Sequence, residues 1–138
     1  MGYPRSGQVA AYKSTAAHGG VAASDPHGLV LMLLDGALQR VAAARGYMQN
    51  GSIKEKSDLL HRVVQIVAEL QGSLDMKSGG EIANNLAELY DYITRRVMSA
   101  NLANNTATLD EVTSLLRTLR SAWAEIPAEM RAVQAGAR

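Results

Sequence analysis

The chain has 138 residues, 14 basic against 13 acidic side chains, no cysteine, no phenylalanine, and aromatics limited to five tyrosines and Trp123. Its length suits a single aliphatic core, and the absence of cysteine excludes thiol catalysis, cysteine-ligated zinc and disulfides. A formal net charge of +1 gives no field to gather phosphate backbones, no apolar run approaches the ~20 residues that cross a bilayer, and no apolar leader opens the chain; the expectation is a cytoplasmic protein without nucleic-acid partners or membrane insertion.

Residues 1–25 carry Gly2, Pro4, Gly7, Gly19 and Gly20 and no sustained amphipathic period. They read as a flexible segment with room for one short helix around 7–17. Ser24-Asp25-Pro26 then places a capping side chain ahead of proline at the first helical position, which is a start signal. From there Val30, Leu34, Ala37, Val41, Ala44 and Met48 step by fours and threes along one face until Asn50-Gly51. Ser52 with Glu55 has the spacing of a capping box, and Ile53, Leu60, Val63, Val67, Leu70 and Leu74 carry the period through a second helix that ends before Ser78-Gly79-Gly80.

Ser78 with Glu81 repeats the box. Behind it Ile82, Leu86, Leu89, Ile93, Val97 and Ala100 predict the inward face of a third helix, which runs to about Asn101 and is broken by Asn104-Asn105. Thr108 with Glu111 gives a third box, opening a fourth helix with Leu109, Val112, Leu116, Leu119 and Trp123 inward and Pro127 near its end. Short turns force neighbours to run antiparallel. The expected fold is all-α, an antiparallel up-down-up-down four-helix bundle over 26–125, between the 1–25 segment and a 126–138 tail.

His18, His27 and His61 sit in none of the Glu-x-x-His pairings that a di-metal bundle needs, so neither metal nor other cofactor is expected. No Gly-x-Ser-x-Gly elbow occurs either, and no catalytic residue is expected. His61 invites comparison with histidine phosphotransfer bundles, but Leu60-His61-Arg62-Val63-Val64 lacks the lysine and glycine that leave room for a phosphoryl group. That reading stays as the alternative. The excess on this chain is apolar: with the core stripes turned inward, Leu31 and Leu38 flank helix one, Leu59 and Ile66 flank helix two, Tyr90 and Tyr92 stand on opposite sides of helix three, and Met32 points away from the core. Wide apolar stripes on a small domain suit a groove that receives a partner's helix.

The run from Ser24 through Asp25-Pro26-His27-Gly28-Leu29 to Asp35-Gly36-Ala37-Leu38 resembles the helix-one signature of the FliS family of flagellin-specific export chaperones. Ile66-Val67-Ala68-Glu69-Leu70, Ser73-Leu74-Asp75, Gly79-Gly80-Glu81-Ile82-Ala83, Leu89-Tyr90-Asp91-Tyr92, Ala100-Asn101 and Leu119-Arg120-Ser121-Ala122-Trp123 resemble that family's later blocks in order, and Ala11-Tyr12-Lys13 fits its amino-terminal segment. The resemblance covers about 8–125. Leu34 departs from it, standing where the family commonly has tyrosine. The resemblance implies a cytosolic, non-enzymatic chaperone that binds the carboxy-terminal segment of flagellin, blocks premature polymerisation and delivers it to the flagellar type III export gate. It further implies that residues 1–25 form a lid, with Val9 and Tyr12 as its contacts, over a client groove for which helical geometry nominates Leu31, Leu38, Leu59, Ile66, Tyr90 and Tyr92. Homodimerisation of the free chain is left open.

Overall fold

A computed structural model describes residues 25–126, and the lid residues Val9 and Tyr12, the short helix around 7–17 and the tail beyond 126 lie outside them. Helix α1 (Pro26–Gln49) starts where the sequence places it. Asp25 is extended, its side chain accepts the His27 N–H at 3.2 Å, and Pro26 occupies the first turn, where its missing N–H costs nothing. Asn50 closes the helix, and Gly51 takes the left-handed φ of 77° that turns the chain back.

Helices α2 (Ile53–Gly72), α3 (Gly80–Ala103) and α4 (Thr106–Ala124) follow, but none is opened by its expected capping box. Ser52 does precede α2, yet its side chain makes no cap bond; the turn is held instead by its N–H donating to the Tyr47 carbonyl at 2.9 Å. Before α3, Asp75 organises the turn in place of Ser78. Its carboxylate accepts the Ser78 N–H at 2.9 Å and its carbonyl accepts the Gly79 N–H at 2.7 Å. A Cβ on Gly79 would stand 2.5 Å from the Asp75 carbonyl and 2.6 Å from the Ala83 Cβ, so only glycine fits there. Helix α4 begins two residues before the expected Thr108, because Asn104 takes a left-handed φ of 55° and Asn105 becomes the cap, accepting the Thr108 N–H at 3.2 Å. Glu111 is thereby released for a different role.

Among the described residues, α1 packs against α2 and α4, and α3 packs against the same two, as in an antiparallel four-helix bundle. The predicted stripes of α1 and α4 are buried as read, except that Leu119 is only partly covered. Leu60, Val63, Val67, Leu70 and Leu74 of the second stripe are buried too, whereas Ile53 is 59% exposed, and Lys56 is the buried residue of the first turn. The largest correction falls on α3. Its seam is Ala83, Tyr90, Ile93, Val97 and Ala100, so Ile82 faces solvent at 53% and Tyr90, expected on a flank, is 2% exposed. Small Ala83 admits the close Gly79 turn while the Tyr90 ring fills the interior one stretch further on. Burial accordingly pushes the Tyr90 hydroxyl pKa upward. Ile66, also expected on a flank, is 2% exposed, and its Cδ1 lies 3.8 Å from where a Cβ on Gly36 would stand. Ile66 therefore packs against α1 beside Gly36.

Polar contacts then fix the seams. Arg120 and Asp35 pair at 2.9 and 3.3 Å, and Arg45 and Asp110 at 2.7 and 3.1 Å, both bidentate across α1 and α4. At the same end as the α1 cap, the Trp123 indole N–H donates to the His27 carbonyl at 3.2 Å while the two rings stack 5.1 Å apart. Across α3 and α4, Glu111 accepts the Tyr92 hydroxyl at 2.5 Å and the Arg96 guanidinium at 2.8 Å. Those two bonds, Tyr92 first, hold the Glu111 carboxyl below the usual carboxylate range.

Three outcomes follow from this packing. Leu116→Ala, which empties a fully buried site, should lower unfolding free energy by about 2–5 kcal/mol in urea titration, whereas Leu102→Ala at an exposed site should stay within about 0.5 kcal/mol. Asn105→Ala should cost about 1 kcal/mol through the lost cap, while Ser52→Ala, which removes no cap bond, should cost much less; equal losses would restore the capping box at Ser52. Because the folded Glu111 carboxyl titrates below the unfolded range near ~4.3, its contribution is complete above that range and is lost as pH falls through the folded value. Acid unfolding should therefore be less steep in Glu111→Gln than in the parent chain.

Candidate functional site

Between α2 and α3 lies an open cleft of about 390 Å³, lined by Leu60, His61, Val64, Val97, Met98, Ser99, Asn101 and Leu102. Helical spacing builds it. Leu60 and Val64 are four apart on the α3 side of α2, and Met98 and Leu102 are four apart on the α2 side of α3. Met98 is 58% exposed and Leu102 is 91% exposed, an unusual state for two large apolar side chains side by side.

Both ends of the cleft are fixed. At one end Lys56, only 4% exposed, extends its ammonium to the Asn101 carbonyl at 2.5 Å, and the Ser57 hydroxyl donates to the Asn101 side chain at 3.2 Å. A cation at the carbonyl end of α3 meets the negative pole of the helix, so the lysine satisfies an orphan carbonyl and the dipole together. At the other end the Gln71 amide donates to the Asp91 carboxylate at 3.0 Å and to the Ala87 carbonyl at 3.4 Å. Between these latches the lining is aliphatic, relieved only by His61, Ser99 and Asn101. Such a surface can take up an apolar helix face. Among the described residues no group of three or more His, Asp or Glu side chains is placed to hold a metal ion, and no helix is long and apolar enough to cross a membrane.

The six groove positions nominated from the sequence do not converge. Leu31 and Leu38 are successive sevens before Arg45, the residue that bonds Asp110, so they line the α1–α4 seam and are half-buried. Leu59 lies seven before Ile66 on the α1 side of α2. Tyr92 is tied to Glu111 on the α3–α4 seam, and Ile66 and Tyr90 are inside the core. Reading each helix separately could not reveal which flanks meet. Val64, Met98 and Leu102 line the cleft and are not among those six; the pairs Leu60/Val64 and Met98/Leu102, each apolar at i and i+4 beside a core stripe, mark them in the sequence. His61 lines this apolar cleft, and none of the other lining residues is a lysine or arginine.

Comparison with known proteins places the chain in a family. A family profile described as "Flagellar protein FliS" matches residues 8–130. The chain is 37% identical over 123 residues to the flagellar secretion chaperone FliS of Vibrio cholerae, covering 89% of this chain and 90% of that one. It is 39% identical over 112 residues to the flagellar secretion chaperone FliSB of Pseudomonas aeruginosa, covering 81% and 89%, and 38% identical over 125 residues to the FliS chaperone of Salmonella typhimurium, covering 90% and 92%. With more than two thirds of each chain aligned, this protein belongs to the FliS family.

Proposed function

We propose that the chain is a cytosolic export chaperone that binds the carboxy-terminal segment of flagellin, keeps it from polymerising and passes it to the flagellar type III export apparatus, without catalysis of its own. The observation that carries the reading is the open aliphatic cleft between α2 and α3 on a bundle whose relatives are named secretion chaperones. A client segment that orders on binding must offset the entropy of ordering with apolar burial, and a wall of leucine, valine and methionine does so without demanding one exact shape. The half-buried Leu31, Leu38, Leu59 and Tyr92 on other seams are further contacts for a client long enough to wrap the bundle. Ile66 and Tyr90 support the client surface from within. Residues 1–25, with Val9 and Tyr12 as contacts, act as a lid that the client displaces.

Calorimetric titration with a peptide spanning the carboxy-terminal segment of a flagellin tests this. Binding should release heat and raise helicity, and Leu102→Asp should weaken it by about tenfold or more, equivalent to ~1.4 kcal/mol, while the far-ultraviolet dichroism of the free chain stays unchanged. Removing residues 1–20 should tighten binding. No heat and no helix gain with either form would defeat the chaperone reading, and acid-labile phosphate on His61 after exposure to a phosphodonor would favour the alternative.

A further inference from the structure

We propose that Met98 is an oxidation site whose conversion to the sulfoxide closes the α2–α3 cleft to an apolar client, an inference that rests on the client reading above. Met98 has 58% of its surface open, whereas Met48 is 3% exposed in the core. It stands on the wall of the cleft beside Leu102 and opposite Leu60 and Val64. Oxidants reach a thioether according to its exposure, so Met98 reacts ahead of Met48. The oxidant is a peroxide: a sulfur lone pair attacks one peroxide oxygen, the S–O bond forms as the O–O bond breaks, and water leaves with both protons. Sulfur is oxidised by two electrons and the peroxide reduced by the same two.

The product changes the chemistry of the wall without threatening the fold. Met98 lies outside the buried stripe of α3, so the bundle keeps Ile93, Val97 and Ala100 as its seam. The sulfoxide oxygen is a strong acceptor, and an apolar helix seated on the cleft strips its water and offers no donor in return, a cost that the thioether does not carry. Binding and oxidation are therefore mutually exclusive. A seated client shields the sulfur, and the oxidised sulfur disfavours the client. Met32 and Met76 are also accessible, but neither lines the cleft.

The test uses the full chain, hydrogen peroxide and the flagellin carboxy-terminal peptide. Peptide mass mapping should show Met98 gaining oxygen well before Met48, and more slowly when the peptide is present. The chain carrying the Met98 sulfoxide should bind the peptide about tenfold or more weakly, with unchanged helicity, and methionine sulfoxide reductases should restore binding. M98L, whatever its own starting affinity, should show the same affinity before and after peroxide, while the M32L/M76L double variant should still lose binding on treatment. Equal affinity of the oxidised and untreated chains, or an M98L chain that loses binding to peroxide as the parent does, would overturn the inference and leave the client reading intact. An untreated chain that fails to bind the peptide brings down the client reading, and this inference with it.

Discussion

The buried ammonium of Lys56 on the Asn101 carbonyl is the contact on which the site depends. A cation taken out of water is tolerated only where hydrogen bonds and a favourable field replace its hydration, and here the carbonyl end of α3 supplies both. The contact sets the start of α2 against the end of α3. With Gln71 bonded to Asp91 and Ala87 at the far end, the register and spacing of the two helices are fixed at both extremities. The stretch between can then stay aliphatic and partly open, because no polar group there is needed to hold the helices together.

The two seams made by α4 are built differently. Two bidentate arginine pairs span α1 and α4, and the Tyr92–Glu111–Arg96 cluster spans α3 and α4. Exposed ion pairs add little stability one at a time, but their long side chains lie over the seams and cover the apolar atoms beneath. The α2–α3 seam has latches only at its ends, and its middle remains accessible. The bundle is thus uneven in its polar cover although its core is a regular aliphatic seam: α4 carries the ion pairs along its seams, and the middle of the α2–α3 seam stays aliphatic.

How much of this could be read from the sequence follows from the range of the interactions concerned. Asp25-Pro26 and Asn104-Asn105 act locally, within one turn, and their positions marked real helix boundaries. The stripes of α1 and α4 were legible because aliphatic residues at strict four-three spacing leave one choice of face. At Ser52 and Ser78 the backbone N–H that a capping-box glutamate would accept goes instead to the Tyr47 carbonyl and the Asp75 carboxylate. Tyr90 and Ile66 could not be sorted from flank to core by period alone: which side of each helix is covered depends on the helices that pack against it. The cleft was invisible for a related reason. Its walls are the outer edges of two helices, and only their pairing shows that Val64 and Leu60 face Met98 and Leu102.

The central claim is that the client sits between α2 and α3. Methyl-resolved NMR of the chain titrated with a flagellin carboxy-terminal peptide addresses it directly, since each cleft residue except Asn101, His61 and Ser99 carries a methyl group. The account predicts the largest shifts at Leu60, Val64, Val97, Met98 and Leu102, with the core methyls of Leu116 and Val41 nearly still. Shifts confined to Leu31 and Leu38 on the α1–α4 seam, with the α2–α3 methyls unmoved, would contradict it.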